Sequence, residues 1–307
     1  MRIAVVGCNG FLGRTFARHV HASGHSLLGI ARSAQPSSDL FSHFVSADAA
    51  RSDLAPALQQ FAPDLVLHAA GTASVGASMA APLDDLRGAL LTWANTLDAV
   101  RRAKLGCAVI FPSSAAVYGE PAMLPVTEDA PLAPVSPYGF HKAACELVAR
   151  EYAQVYGLRI GVARLFSLYG PLQRRLLLWE LYAQAAGPAD EVALDGTGDE
   201  SRDYLHADDA CAALLALAGT LGERGALAIT NVASGEETRT SDLARLVIEQ
   251  VAPHKRLVLR GNGRPGDPAR WRAAVGKLSA LGLPAPRPLR AGVAECLEQW
   301  RRAPARD

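Results

Sequence analysis

The sequence predicts an α/β protein with a doubly wound parallel sheet and a smaller C-terminal α/β unit. Short apolar runs with the length of buried strands, such as Arg2–Val6 and Asp64–His68, alternate with segments that have a helical pattern. The first run enters a glycine-rich turn and then a helix, which is typical of the start of such a sheet. The chain has 307 residues and half of them are apolar, so it can bury the core of one large α/β domain, or of a main domain with a smaller one.

The composition argues against several classes of function. A formal net charge of +1 gives no reason to expect nucleic acid or a membrane surface as a partner. No apolar run approaches the roughly eighteen residues that a membrane helix needs. The eight histidines show no spacing typical of metal ligands, so we expect no metal site.

The cysteines and the N-terminus indicate the compartment. The five cysteines are odd in number and contain no C-x-x-C pair, which favours free thiols in a reducing cytoplasm. Met1 leads almost at once into a strand, so we expect no signal peptide and a cytoplasmic protein. The cysteines are Cys8, Cys107, Cys145, Cys211 and Cys296.

The turn that follows Arg2–Val6 carries a strong local indication of function. A helical pattern follows this turn as far as His21. Glycines between a strand and a helix permit a tight turn and let a pyrophosphate approach the backbone and the helix N-terminus. The spacing is G-x-x-G-x-x-G, and we predict that it binds a dinucleotide. The expected cofactor-binding residues are Gly7, Asn9, Gly10, Phe11, Leu12 and Gly13.

The end of the second strand bears on the choice of cofactor. The strand is predicted at Ser26–Ile30, and a carboxylate after it would bind the ribose 2′-hydroxyl of NAD. This chain has Ala31 there, followed by Arg32, so nothing repels a 2′-phosphate and NADP is favoured over NAD. The alternative is that Arg32 faces solvent and NAD binds without that carboxylate.

Two further strand ends complete the expected cofactor site. Phe44–Ala47 leads to Asp48, a candidate to bind the adenine amino group, with Ala49 beside it. The run Asp64–His68 enters small residues that would let the cofactor lie across the edge of the sheet. These small residues are Ala69, Ala70 and Gly71.

Tyr138 and Lys142 are the predicted centre of the chemistry. Pro137 favours a helix start, so the two residues lie in the first turns on one face of a helix. An ammonium about 4 Å from a phenol stabilises the phenolate by on the order of 4 kcal/mol at an effective dielectric of about 20, which favours proton transfer at neutral pH. Ser114 follows the predicted strand Cys107–Phe111, and its hydroxyl would hold the same substrate oxygen. A surface tyrosine beside a surface lysine is the alternative.

Two long helices are predicted around this motif. Pro82–Ala103 has acidic residues early and Arg101 and Arg102 late, which matches the helix dipole. A second helix runs from Tyr138 to Tyr156. Residues 82–104 and 138–156 could pair with copies of themselves in a homodimer, although a buried face explains their apolar residues equally well.

The second half of the chain alternates less regularly. Arg202 and Arg264 each lie beside a tight turn, and we predict that they bind a diphosphate. Helices are predicted at Leu176–Ala186, Ala210–Ala218 and Ser241–Val251, the last with Thr240 or Ser241 as N-cap. Strands are predicted at Arg159–Phe166, Val192–Leu194, Ala226–Val232 and Arg256–Arg260.

Several short motifs lie along the chain from Met1 to about Trp300. They are Gly7, Gly10 and Gly13; His68–Gly71; S-S-A-A-V-Y-G at Ser113–Gly119; S-P-Y-G-x-x-K at Ser136–Lys142; Y-G-P at Tyr169–Pro171; S-R-D-Y-x-H-x-D-D at Ser201–Asp209; and R-P-G-D at Arg264–Asp267. Because it carries all of these motifs, the chain resembles the extended short-chain dehydrogenase/reductase family, specifically its nucleotide-sugar epimerases, dehydratases and ketoreductases.

The resemblance implies both an architecture and a set of roles. It implies a Rossmann domain of residues 1–170, to which the chain returns at about residues 203–235, and a smaller nucleotide-sugar-binding domain of residues 171–202 and 236–307. It implies that Ser114, Tyr138 and Lys142 are catalytic and that Lys142 also holds the nicotinamide ribose. The implied substrate-binding residues are Ser113, Ser114, Ser167, Arg202 and Arg264.

Departures from the family pattern narrow the reaction. The 4,6-dehydratases of the family place an Asp-Glu pair directly after the catalytic Ser or Thr. This chain has Ala115 and Ala116 there, and neither can transfer a proton, which argues against dehydration by that route. Ser167 replaces the family's Asn before Y-G-P and Ala89 replaces a helix Asn, so neither position offers an amide.

We therefore predict hydride transfer between a nicotinamide and C4 of a nucleotide-linked hexose. In the leading prediction NADPH reduces a 4-keto, 6-deoxy sugar while Tyr138 protonates the new hydroxyl. The alternative is a C4 epimerase that retains NAD. A non-catalytic dinucleotide sensor is a third hypothesis, disfavoured because Tyr138 and Lys142 are both present. The nucleoside and the sugar stay open.

Overall fold

The computed structural model describes residues 1–261, 266 and 268–302. Arg264 and Asp267 of the R-P-G-D motif lie outside the described residues. In chain order the described strands are β1 (Arg2–Val6), β2 (Ser26–Ala31), β3 (His43–Ser46), β4 (Leu65–His68), β5 (Ala108–Ser114), β6 (Arg159–Leu165), β7 (Ser167–Tyr169), β8 (Glu191–Leu194), β9 (Ser201–His206), β10 (Leu227–Val232), β11 (Glu237–Arg239) and β12 (Arg256–Leu259).

The helices of the described chain connect these strands. In order they are α1 (Phe11–His21), α2 (Ala55–Phe61), α3 (Val75–Ala80), α4 (Pro82–Leu86), α5 (Thr92–Arg102), α6 (Pro137–Tyr156), α7 (Leu176–Ala186), α8 (Ala207–Thr220), α9 (Thr240–Val251), α10 (Gly276–Ser279) and α11 (Leu289–Arg302). A π-helical turn occupies Arg87–Leu91 and a 3-10 turn occupies Ala115–Tyr118. None of the described helices has the length and apolar character needed to cross a membrane.

A seven-stranded parallel sheet confirms the predicted doubly wound fold. The strand order is β10-β6-β5-β4-β1-β2-β3, so the order reverses between β1 and β4. In this register Ile3 pairs with Leu27 on one side and with Leu65 on the other. Because all seven strands are parallel, their carboxyl ends share one edge, which is where an open α/β sheet binds ligands.

Both faces of this sheet are covered. Phe16 of α1 and Leu214 of α8 pack with Val5 of the sheet on one face. On the other face Trp93 of α5 and Ala149 of α6 belong to a second core. Strands buried on both faces carry continuous apolar runs instead of alternating ones. Such runs are the pattern from which the sequence predicted these strands.

A third core lies in the C-terminal part of the chain. Strands β11, β9 and β7 form a three-stranded sheet, and β12 pairs with β8. Leu181 of α7, Val247 of α9 and Trp300 of α11 are buried together there. The strand β10 pairs with β6, so the chain re-enters the large sheet after β9 and α8.

Two local expectations are wrong. The predicted helix Pro82–Ala103 is interrupted by the π turn, inside which Gly88 lets the helix pack closely on Thr72. Helix α9 has neither Thr240 nor Ser241 as its N-cap; Arg239 occupies that position without a side-chain cap. The amide of Thr240 instead donates to the Glu200 carbonyl (2.7 Å), so a tertiary contact replaces the cap.

Candidate active site

The loops that follow the parallel strands meet at the carboxyl edge of the sheet. Gly7 has φ +85°, a left-handed conformation that suits glycine. A Cβ on Gly7 would lie 2.6 Å from the carbonyl carbon of Ala69, so the glycine turn and the loop after β4 touch through their backbones. A Cβ on Gly13 would lie 2.8 Å from Cys8 Cα, so glycine lets α1 approach the end of β1. The predicted loops are thus brought together.

The start of α1 has the features of an anion site. Gly10 is the N-cap and offers no side-chain cap, and the first turn holds no acidic residue. The first amides of α1 are therefore not satisfied by a cap and are suited to a phosphate. Phe11 lies beside Gly170 of the loop after β7, since a Cβ on Gly170 would be 3.5 Å from the Phe11 ring.

Asn9 organises the loop after β2, a role that the sequence did not reveal. Its side-chain amide donates to Ser33 Oγ (2.5 Å) and to the Gln35 carbonyl (3.0 Å). Its carbonyl oxygen accepts from the amide of Ser37 (2.8 Å). Arg32 precedes these contacts and is exposed. Asn9 thus fixes the loop from which Arg32 projects.

The loop after β3 is anchored on α5. The Asp48 carboxylate accepts from the amide of Ala50 (3.0 Å), which closes a tight turn. Asn95 of α5 donates to the carbonyls of Ala49 and Ser52, both at 2.8 Å. Asp48 and Ala49 therefore lie at the same sheet edge as the glycine turn, as expected for the adenine end of a dinucleotide site.

Ser114 and the start of α6 are held against each other. Ser114 ends β5 and its Oγ accepts from the amide of Ala116 (3.2 Å), which caps the 3-10 turn. Ser136 caps α6 by accepting from Gly139, at 3.3 Å. A Cβ on Gly139 would lie 2.5 Å from the Ala116 carbonyl oxygen, so the helix that carries Tyr138 packs directly on the turn after Ser114.

Lys142 is fixed between the strand and Tyr138. The side chain is only 7% exposed, and Nζ donates to the Pro112 carbonyl (2.8 Å). Nζ lies 4.7 Å from the ring centroid of Phe111 and 5.8 Å from that of Tyr138. Tyr138 is half-buried, and its amide donates to Ser78 Oγ (3.1 Å). The Lys142 ammonium therefore lies over the ring of Tyr138, the residue that we predict to transfer a proton.

His68 lies beneath Lys142 and remains neutral. It is buried at the end of β4, where Nδ1 is 3.0 Å from Thr96 Oγ1 and Nε2 is 3.3 Å from Thr92 Oγ1. Burial, together with the charge of Lys142, lowers the pKa of His68 to about 3. His68 thus adds hydrogen bonds without a second positive charge next to the lysine.

A buried polar network underlies the strand and the helix that carry Ser114 and Tyr138. Glu146, one turn beyond Lys142 on α6, forms an ion pair with Arg164 of β6 at 2.7 Å. Ser113 Oγ donates to Glu146 Oε1 (2.6 Å), and Ser113 is buried. Ser113 is therefore bonded within the interior of the protein, and its expected contact with the substrate stays a prediction.

The same network continues towards β10. Arg164 donates to Tyr118 Oη (2.8 Å) and to the Glu128 carbonyl (2.8 Å). Tyr118 Oη donates to Asn231 Oδ1 (2.7 Å). Burial raises the pKa of Tyr118 to about 12, so this second tyrosine near the strand end stays neutral and bonded.

Ser167 and Arg202 lie in the small sheet beside this edge. Ser167 of β7 pairs with Tyr204 of β9, on the strand that also carries Arg202. The Arg202 guanidinium donates to the Ser201 carbonyl (2.8 Å) and lies 5.2 Å from the ring centroid of Trp271. Arg264, the other arginine predicted to bind a diphosphate, lies outside the described residues.

One group of the described residues has the spacing of metal ligands. His206, Asp208 and Glu295 bring their ligand atoms within 4.8 Å of one another. Arg287 donates to Glu295, and its Nη1 lies 3.3 Å from His206 Nε2. Arg287 thus places a guanidinium charge beside the two carboxylates of this group.

Comparison with known proteins finds similar chains among enzymes of nucleotide sugars. The UDP-glucose 4-epimerase of Mycolicibacterium smegmatis is 30% identical over 256 residues, 79% of this chain and 80% of that protein. The GDP-6-deoxy-D-mannose reductase of Pseudomonas aeruginosa is 31% identical over 219 residues, 69% of each chain. The solved structure of MoeE5 in complex with UDP-glucose and NAD has a TM-score of 0.88 at 26% identity, covering 99% of this chain and 100% of that chain.

The family match includes every strand of the large sheet. It extends over residues 3–233, and its description is the NAD dependent epimerase/dehydratase family. This confirms the resemblance that the sequence motifs indicated. The chain belongs to the NAD dependent epimerase/dehydratase family.

Proposed function

We propose that the protein is an NAD(P)-dependent oxidoreductase that acts at C4 of a nucleotide-activated hexose. The observation that supports this most is the arrangement of Ser114, Tyr138 and Lys142 at the edge where the predicted cofactor loops meet. The leading reaction is NADPH-dependent reduction of a 4-keto, 6-deoxy sugar. The P. aeruginosa relative, whose name describes a deoxysugar reductase, supports this choice.

The proposed mechanism assigns one task to each of the three side chains. The nicotinamide supplies hydride when it is bound. Tyr138 gives its phenolic proton to the C4 oxygen, and the Lys142 ammonium stabilises the phenolate that results. Ser114 Oγ accepts from the Ala116 amide, and its O–H would donate to the substrate carbonyl oxygen.

The residues after β2 favour NADPH within this proposal. Ala31 ends the strand without a carboxylate, and Arg32 is exposed beside it. A guanidinium binds a 2′-phosphate through charge-assisted hydrogen bonds. The glycine turn and α1 would hold the pyrophosphate, and Asp48 would bind the adenine.

A 4-epimerase is the second candidate. The M. smegmatis relative carries that name, and MoeE5 was solved with NAD. Both candidate reactions use Tyr138 for proton transfer at the C4 oxygen. Dehydration would need a second acid or base, and neither Ala115 nor Ala116 can supply one. The candidates differ in the cofactor. An epimerase returns the hydride to its substrate and retains NAD, whereas a reductase binds NADPH anew in each turnover.

We also propose that the protein forms a homodimer through α4, α5 and α6. Apolar side chains are exposed on these elements: Phe140 is 59% exposed, Leu147 67% and Val155 67% on α6. Leu83 of α4 and Leu91 of the π turn are also exposed. An apolar surface of this kind is typical of a self-association site.

The first prediction tests the chemistry. Tyr138→Phe keeps the ring and should lower turnover of a nucleotide-linked 4-keto sugar by about 10²–10⁴-fold, the usual contribution of positioned acid–base catalysis. Cofactor binding should change little. Tyr156→Phe, at the far end of the same helix, is the matched control and should retain full activity. Near-normal turnover by Tyr138→Phe would show that the proposed site is wrong.

The second prediction tests the cofactor. Arg32→Ala should weaken NADPH binding by about 1–3 kcal/mol and leave NADH binding unchanged, because only NADPH carries the 2′-phosphate. The control is Arg224→Ala, an exposed arginine that precedes β10 at the opposite edge of the sheet. Fluorescence titration measures both affinities. Equal losses for the two cofactors would exclude the 2′-phosphate role, and NAD retained through purification would favour the epimerase.

The third prediction tests substrate binding. Arg202→Ala should raise KM for the sugar nucleotide about 10- to 100-fold, which corresponds to about 1.5–3 kcal/mol for a charged hydrogen bond. Its kcat should change much less, because diphosphate binding is equal in ground and transition states. Arg239→Ala on the neighbouring strand β11 is the control. An unchanged KM for the sugar nucleotide would show that Arg202 does not bind the diphosphate.

The fourth prediction tests the dimer. Sedimentation of the protein should give about twice the chain mass of 32.4 kDa. Leu147→Asp should shift it to the monomer, because a carboxylate would be buried without a partner. Met123→Asp changes an even more exposed apolar side chain in the loop before α6 and should leave the dimer intact. A monomeric unmutated protein would contradict the proposal.

A further inference from the structure

A buried carboxylate joins two segments of the proposed active site. Asp85 of α4 is 3% exposed. Its Oδ1 accepts a hydrogen bond from Thr72 Oγ1, and its Oδ2 lies 2.5 Å from His141 Nδ1. Both partners are side chains from other parts of the chain, so Asp85 links the segment after β4 to α6.

The two partners of Asp85 adjoin the residues with proposed functions. Thr72 directly follows Gly71, the last residue of the proposed cofactor loop. His141 lies on α6 between Tyr138 and Lys142. A single carboxylate therefore contacts residues adjacent to both the proposed cofactor loop and Tyr138 and Lys142 of α6.

The carboxylate has a physical reason to hold both partners. A carboxylate taken out of water is stable only if its oxygens are hydrogen-bonded or paired with a positive charge. The hydroxyl of Thr72 satisfies one oxygen of Asp85, and the ring N–H of His141 satisfies the other. If either partner were removed, one oxygen of a buried carboxylate would lose its donor.

The local backbone depends on such side-chain contacts. Helix α4 has five residues and runs directly into the π turn, so it has little stability of its own. A Cβ on Gly71 would lie 3.3 Å from the Gly88 carbonyl oxygen, which places the cofactor loop directly on that turn. The hydrogen bonds of Asp85 thus join α4 to the cofactor loop and to α6, and the π turn that continues α4 packs on the same loop.

We propose that Asp85, Thr72 and His141 form a positioning cluster that sets the distance between the cofactor loop and Tyr138. This rests on the proposed function, because the distance matters only if hydride and proton are delivered to the same C4 group. None of the three residues needs to touch the substrate. Loss of the cluster should therefore lower kcat and leave KM for the sugar nucleotide nearly unchanged.

The test compares two replacements of His141. The amide nitrogen of His141→Asn can take the place of Nδ1 and donate to Asp85, whereas His141→Leu cannot donate. We expect His141→Leu to lower kcat about 10- to 100-fold, the effect of a misplacement of about 1 Å, with KM for the sugar nucleotide within about threefold. His141→Asn should recover kcat to within about threefold. Thr72→Val, which keeps the shape and loses the donor, should lower kcat in the same way.

A second measurement does not depend on activity. Amide hydrogen exchange should become faster in residues 69–72 and in residues 138–142 when His141→Leu breaks the cluster, because the two segments lose their common partner. Ser78→Ala removes the acceptor of the Tyr138 amide and should affect only the start of α6. This variant is the matched control.

The outcomes separate the two proposals. If His141→Asn and His141→Leu lower kcat equally, or if exchange changes in one segment alone, the positioning cluster is wrong. If Tyr138→Phe retains full turnover, the proposed function is wrong, and the exchange measurement still decides whether Asp85 joins the two segments.

Discussion

The buried ion pair of Glu146 and Arg164 is the interaction on which the geometry of the site depends. Glu146 lies one turn beyond Lys142 on α6, and Arg164 lies on the neighbouring strand β6. Both side chains are nearly inaccessible to water, and their remaining hydrogen-bonding atoms reach Ser113 and Tyr118. Removing one partner of such a pair costs about 3–5 kcal/mol, because the other charge is left buried without a partner. The pair therefore fixes α6 on β6 and, through Ser113, on the end of β5.

Small residues allow the loops to come close once the helix is fixed. Gly7 meets the backbone of Ala69, and Gly139 meets the carbonyl of Ala116. At each contact a side chain of any size would separate two segments that carry proposed site residues. The charged pair sets the orientation of α6, and Gly139 sets the distance of α6 from the turn after Ser114.

The sequence predicted the parts of the fold that depend on local pattern. The strand β1, the helix α7 and the extent of α6 follow directly from apolar runs, a proline start and a polar boundary. The π turn at Arg87–Leu91 and the uncapped start of α9 were missed, because contacts with residues distant in sequence decide both. Local propensity carries no information on such contacts.

The candidate site shows the same division. The motifs located Tyr138, Lys142 and the glycine turn, since their spacing within one element is visible in the sequence. The roles of Asn9, Asp85 and His68 depend on partners in other elements, and the sequence alone gave no sign of those pairs. The bond between Ser113 and Glu146 was missed for the same reason, because it joins β5 to α6.

The charges around the site explain why the proposed chemistry falls on two hydroxyls. Glu146 is paired with Arg164, Lys142 donates to the Pro112 carbonyl, and burial keeps His68 neutral. Each of these three side chains is bonded to another part of the protein. Each one therefore affects the proposed site through its charge or its hydrogen bonds. Tyr138 and Ser114 remain as groups that can give a proton to, or hold, an oxygen of a bound sugar. The absence of an ionisable side chain at Ala115 and Ala116 agrees with the hydride transfer at C4 that we propose, because that reaction needs no second acid or base there.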